Sequence, residues 1–113
     1  MSKLSDKLRR AREKVIPVRE HSFTVLRPTD LDMLEFRGDI SPRQLLKFVI
    51  GWGETVTELA MKIPGGDPHP LPFDGEALVE WASDDAELFS ALINGITGAY
   101  ADHQAAVAAA KKN

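Results

Sequence analysis

Leu4, Leu8, Ala11 and Val15 recur at i, i+4, i+7 and i+11 along an otherwise charged segment. This narrow apolar stripe predicts a helix over residues 2–15 lying on a surface, capped by Ser2 or Ser5 and ended by Pro17. The period then changes. From Arg19 to Leu26, His21, Phe23 and Val25 alternate with Ser22, Thr24 and Leu26, and this predicts a strand. No second run of equal quality follows it. A single strand cannot satisfy its own backbone groups, so it pairs either with the irregular middle of the chain or with another copy.

Arg27-Pro28-Thr29-Asp30 marks the return to helix, with Thr29 as N-cap and Asp30 and Asp32 in the first turn, where the dipole favours negative charge. Leu31 and Leu34, with Met33, are expected to point inward, and Gly38 to stop the helix. Ser41-Pro42 opens another helix as N-cap and first residue. Leu45, Leu46, Phe48, Val49 and Ile50 make it apolar on most sides, which marks it as the central core element until Gly51-Trp52-Gly53 breaks it. Residues 62–75 hold Pro64, Gly65, Gly66, Pro68, Pro70, Pro72 and Gly75, and are expected to be loop. Asp74 caps a short helix with Leu78, Val79 and Trp81. Ser83 or Asp84 caps the longest one, from Asp85 to about Lys111, where Leu88, Leu92, Ile96 and Tyr100 keep a helical period. Beyond Asp102 the stripe thins to Val107 among alanines, so that end is expected to project, fray or pack on a neighbour. The expected architecture is mainly α with a minor β element: a small helical domain with one N-terminal strand and a long C-terminal helix. It divides into a basic arm, residues 1–15, and a single domain, residues 16–113.

At 113 residues the chain has material for one core, and 43% hydrophobic with 27% charged residues excludes global disorder. The absence of cysteine excludes disulfides, thiolate nucleophiles and cysteine metal sites. No apolar run is long enough for a membrane span or a secretory signal, which points to a cytoplasm. The net charge of −3 divides unevenly: residues 1–14 hold six basic and two acidic side chains, the rest eight basic and fifteen acidic. A basic arm on an acidic body suits an anionic partner or the acidic surface of another copy. Nucleic acid is the weaker choice, because the arm has no aromatic side chain to stack on bases.

His21, His69 and His103 show no metal-ligand spacing, and neither a phosphate-binding glycine motif nor a nucleophile elbow occurs. The carboxylate pairs Asp30/Asp32 and Asp84/Asp85 sit at helix starts, where capping explains them. Neither an enzyme nor a cofactor is expected. Trp52, Phe73 and Trp81 flank the proline loop, as core anchors or as partner hot spots.

From Phe23 onward the order of landmarks resembles the tail assembly chaperones of long-tailed bacteriophages. The residues that carry it are Leu26-Arg27-Pro28-Thr29-Asp30 leading to Leu34-Glu35-Phe36-Arg37-Gly38, then Val49-Ile50-Gly51-Trp52, Leu71-Pro72-Phe73-Asp74, Leu78 and the long last helix. They span roughly residues 23–100, and the basic arm is outside the pattern. The resemblance implies a small, non-enzymatic protein of the host cytoplasm, absent from the mature virion. It would hold the aggregation-prone tape measure protein, help recruit tail tube protein and self-associate. Leu88, Leu92, Ile96, Tyr100, Trp52 and Phe73 are the partner-binding candidates. The alternatives are a small structural or adaptor subunit of phage morphogenesis, and a regulator whose basic arm binds nucleic acid.

Lys111-Lys112-Asn113 requires an adenine-rich messenger, since lysine and asparagine codons begin with two adenines. The resemblance implies a longer product made by programmed frameshifting near this point. The gene is expected to carry a heptamer such as A-AAA-AAG here, with an open −1 frame downstream and a minor larger product in infected cells. Stop codons in that frame directly after the lysine codons would remove the idea.

Overall fold

The computed structural model describes residues 3–36 and 41–111, and an antiparallel hairpin lies at its centre. Strand β1 (Glu13–Val18) pairs with β2 (His21–Leu26) from Glu13 opposite Leu26 to Val18 opposite His21. The two-residue turn places Arg19 at φ 56°, the left-handed conformation that the first position of a tight hairpin turn adopts to match the strand twist. Strand β3 (Val49–Trp52) pairs with the other edge of β2, also antiparallel. Its register shifts between Thr24 and Val25, which leaves Ile50 as a bulge. Gly51 lies over Thr24, and Trp52 returns to the face of Phe23.

The expectation of a mainly α fold with one strand is therefore corrected. The three strands form one sheet in the order β1-β2-β3, and the architecture is α+β. The strand predicted over residues 19–26 has both neighbours within its own chain. Its first partner occupies part of the segment expected as a helix to Val15. Val15, Ile16 and Val18 are β-branched and fit a pleated surface better than a helix. Pro17, read as a helix stop, is tolerated because β1 is an edge strand. Helix α1 (Lys3–Ala11) is correspondingly shorter, and the arm–domain boundary at residue 15 falls inside β1. The second partner was hidden in the apolar run 45–50. That run divides into helix α3 (Pro42–Leu46) and β3, again where β-branched Val49 and Ile50 begin.

Elsewhere local signals hold. Thr29 caps helix α2 (Asp30–Phe36): its hydroxyl accepts from the Asp32 amide at 3.0 Å, while the Asp32 carboxylate accepts from the Thr29 amide at 2.9 Å. Ser41 and Gln44 make the same reciprocal box at α3. Asp74 caps helix α4 (Gly75–Ser83) by accepting from the Glu76 and Ala77 amides. Helix α5 (Ala86–Lys111) is capped by Asp85, one residue later than expected, through a 3.1 Å bond from the Leu88 amide. Residues 53–74 contain no helix or strand. Ser2 and Gly38, expected as cap and stop, lie outside the described residues.

Helices α3, α4 and α5 cover one face of the sheet. Phe23 and Val25 on the sheet, Leu78 on α4, and Leu88, Leu92 and Ile96 on α5 are all but fully buried there. Val49 and Leu46 complete the core from β3 and α3. Gly95 is the point of closest approach between α5 and β1: a Cβ built on it would overlap the Ile16 side chain.

Val49→Asp or Leu46→Asp is expected to destabilise the protein by more than about 3 kcal/mol in urea unfolding, because each places an unpaired charge in this core. His69→Ala, on the exposed loop, is expected to stay within about 0.5 kcal/mol.

Candidate partner-binding surfaces

Helix α5 runs the length of the hairpin and is fastened at both ends. At the turn end, Arg19 Nη2 donates to Asp85 Oδ2 at 2.8 Å, so one carboxylate both caps α5 and holds the left-handed turn residue. The Arg19 bond, with the Leu88 amide second, holds the Asp85 carboxyl below its usual range, and the same bond raises the Arg19 guanidinium. At the open end, the Tyr100 hydroxyl donates to Asp30 Oδ1 at 2.9 Å, and His103 Nε2 lies 4.0 Å from the same oxygen. Arg12 and Arg27 close that end of the ladder: the Arg27 amide donates to the Arg12 carbonyl at 2.8 Å, and the Arg12 guanidinium to the Arg27 carbonyl at 3.1 Å.

Past Tyr100 the helix leaves the body. Residues 101–111 add roughly 16 Å at 1.5 Å per residue, and every side chain there except His103 is exposed. Of the three outcomes expected for the alanine-rich end, it remains helical and projects. Helix α2 emerges at the same end, behind the fully buried Pro28. Leu31 and Leu34, expected to face the core, are 63% and 71% exposed. The helix has seven residues and rests on the body through Asp30 and through the edge contact of Phe36 with Phe48, 6.2 Å between centroids. It is too short and too loosely seated to bury its leucines. Between α2 and α5 lies an open groove of about 740 Å³ lined by Leu31, Met33, Leu34, Tyr100 and Gln104.

A second groove, of about 760 Å³, runs between α3 and α4. Leu46, Val49, Phe73 and Val79 give it an apolar floor; Arg43 and Lys47 border it on one side, Glu76 and Glu80 on the other. Phe73 is set there by a clamp that closes the proline loop. Trp52 Nε1 donates to the Leu71 carbonyl at 2.9 Å, and the Phe73 ring meets the indole edge-on at 4.9 Å.

Among the six partner-binding candidates, Leu88, Leu92 and Ile96 are wholly buried in the chain's own core. Trp52 is half-buried in the clamp. Phe73 reaches the α3/α4 groove and Tyr100 the α2/α5 groove, at different places on the molecule. Sequence reasoning placed Leu31 and Leu34 in the core; on α2 they share one side, while the half-buried Met33 and Phe36 take the other.

The three histidines lie apart. His21 is buried, with Nδ1 on the Thr55 hydroxyl at 2.8 Å and Nε2 3.3 Å from Glu20. His69 pairs with Asp67, whose carboxyl is lowered first by the His69 amide and then by the ring. Among the described residues no cluster of three or more His, Asp or Glu is placed to hold a metal ion, and no helix is long and apolar enough to cross a membrane. No family model, curated protein or solved structure matches the chain.

Tyr100 is the single tyrosine, and the hydrogen bond to Asp30 raises its phenol above the usual value. A spectrophotometric titration of the phenolate is expected to have its midpoint above ~10, and Asp30→Asn to bring it down. An unchanged midpoint would mean that α2 is not held to α5 by this bond.

Proposed function

We propose that this protein is a non-enzymatic tail assembly chaperone of a long-tailed bacteriophage. It works in the host cytoplasm, holds helical segments of the tape measure protein, brings tail tube protein to them, and is left out of the mature virion. The ordered landmarks from Arg27 to Asp74 suggest the reading, and their positions support it. Pro28 is buried where the hairpin hands over to α2, while Trp52, Leu71 and Phe73 form the clamp behind the α3/α4 groove. Pro28, Trp52, Leu71 and Phe73 are thus landmarks that also shape the fold, while Leu34 and Glu35 lie at the surface.

The observation that carries the proposal is the α3/α4 groove: an apolar floor between a basic border, Arg43 and Lys47, and an acidic one, Glu76 and Glu80. An amphipathic helix laid in such a groove buries its apolar stripe and finds partners for charges of either sign along its flanks. A tape measure protein repeats such stripes over a great length, so weak individual contacts add by avidity along one client.

The test is co-expression with the tape measure protein encoded by the same phage. The wild-type chain is expected to keep that client soluble and to co-purify with it, while purified virions lack the chain. Ala77→Arg, which fills the groove from a half-buried position on α4, is expected to release the client without unfolding the chaperone. A client that stays insoluble with the wild type, or a chain that persists in virions, would overturn the reading.

A further inference from the structure

Three features meet at the open end of the hairpin. Helix α1 ends one residue before Arg12, and α2 begins three residues after Arg27, the pair that closes the ladder there. The C-terminal half of α5 reaches the same end through Tyr100 and Asp30. No residue of α1 is buried, and its apolar face carries Leu8, 63% exposed, and Leu4, 65% exposed. At 100° per residue Lys3 and Lys7 lie along one side of that face and Ser5 along the other. On α2 the same wheel sets Leu31 and Leu34 side by side, flanked by Glu35 and Asp30.

One helix therefore offers Leu8 with lysines along one side, the other two leucines bordered by carboxylates, and the acidic one forms a wall of the α2/α5 groove. We infer that α1 of one copy of this protein docks in the α2/α5 groove of a second copy, Leu8 against Leu31 and Leu34, in a reciprocal exchange. Size and charge match an occupant that the chain itself supplies. α1 lines neither pocket of its own α2/α5 end. Because helix and groove lie at the same end of the molecule, the exchange is isologous and closes as a two-fold dimer. Reciprocity doubles the buried area, towards the ~1,200 Å² or more that stable interfaces bury. The expected β-strand route to self-association has no such basis, since β2 has both its neighbours within the chain. The inference stands on α1, α2 and α5 alone and holds whichever client the α3/α4 groove takes.

Analytical ultracentrifugation of the full chain tests it. The wild type is expected to sediment as a dimer at high micromolar concentration, with dissociation promoted by salt. Leu8→Asp and Leu34→Asp, both at exposed positions, are each expected to be monomeric with unchanged circular dichroism, and to melt as the wild type does at concentrations where it too is monomeric. Mixing the two variants decides the matter. Leu34→Asp keeps a good α1 and Leu8→Asp a good groove, so the mixture restores one of the two exchanges and is expected to associate, more weakly than the wild type, at concentrations where neither variant does alone. As a second reading, Lys7→Glu is expected to weaken the dimer and Glu35→Lys in the other copy to restore it. A wild type that stays monomeric, a Leu8→Asp variant that stays dimeric, or a mixture that stays monomeric would each overturn the inference. A wild-type monomer would also result if α1 folded back into its own groove, and it counts against the exchange.

Discussion

The structure depends on one packing contact: the β1–β2 hairpin lying lengthwise against α5. A strand of six residues rises roughly 20 Å, and fifteen residues of helix roughly 22 Å, so the two match from the turn to the open end. The missing side chain of Gly95 lets the helix come down onto Ile16. Phe23, Leu88, Leu92 and Ile96 then fill the space between sheet and helix, all at zero exposure. The Arg19–Asp85 and Tyr100–Asp30 bonds fix the register at the two ends. With partly exposed partners such bonds add little to stability; they set where α5 lies while burial supplies the stability.

That contact also decides what is left over. Once hairpin and helix have covered one another, the last eleven residues of α5 have no sheet beneath them, and α1 and α2 leave the same end as short helices beyond the sheet, α2 held through Asp30 and Phe36. Their leucines stay at the surface because the hairpin ends, not because they are polar. The α3/α4 groove has a different origin. The clamp of Trp52, Leu71 and Phe73 holds the proline loop to β3 and sets the start of α4 apart from α3. The two surfaces are thus independent products of the fold.

Among the described residues, the shifted proton affinities each have a structural cause. Asp85 answers to Arg19 and a helix amide, Asp67 to His69, and Tyr100 to Asp30. The chemistry that the sequence singled out is used in capping, turn stabilisation and the docking of one helix on another.

Local features were legible before any fold was known. The caps Thr29, Ser41 and Asp74, the proline loop, the alternation of His21, Phe23 and Val25, and the long period through Leu88, Leu92 and Ile96 all depend on neighbours within a few residues, which the chain itself supplies. The strands β1 and β3 were not legible. Val15 fell on the arithmetic of a helical stripe, and Val49 and Ile50 sat in an apolar run that suits helix or buried strand equally. Only pairing with β2 chooses between them, because the hydrogen bonds that make a strand come from residues far along the chain. The same holds for the surfaces. Leu34 and Leu92 are both leucines on helical stripes, and tertiary structure alone buries one and exposes the other, since only α5 has a hairpin beneath it.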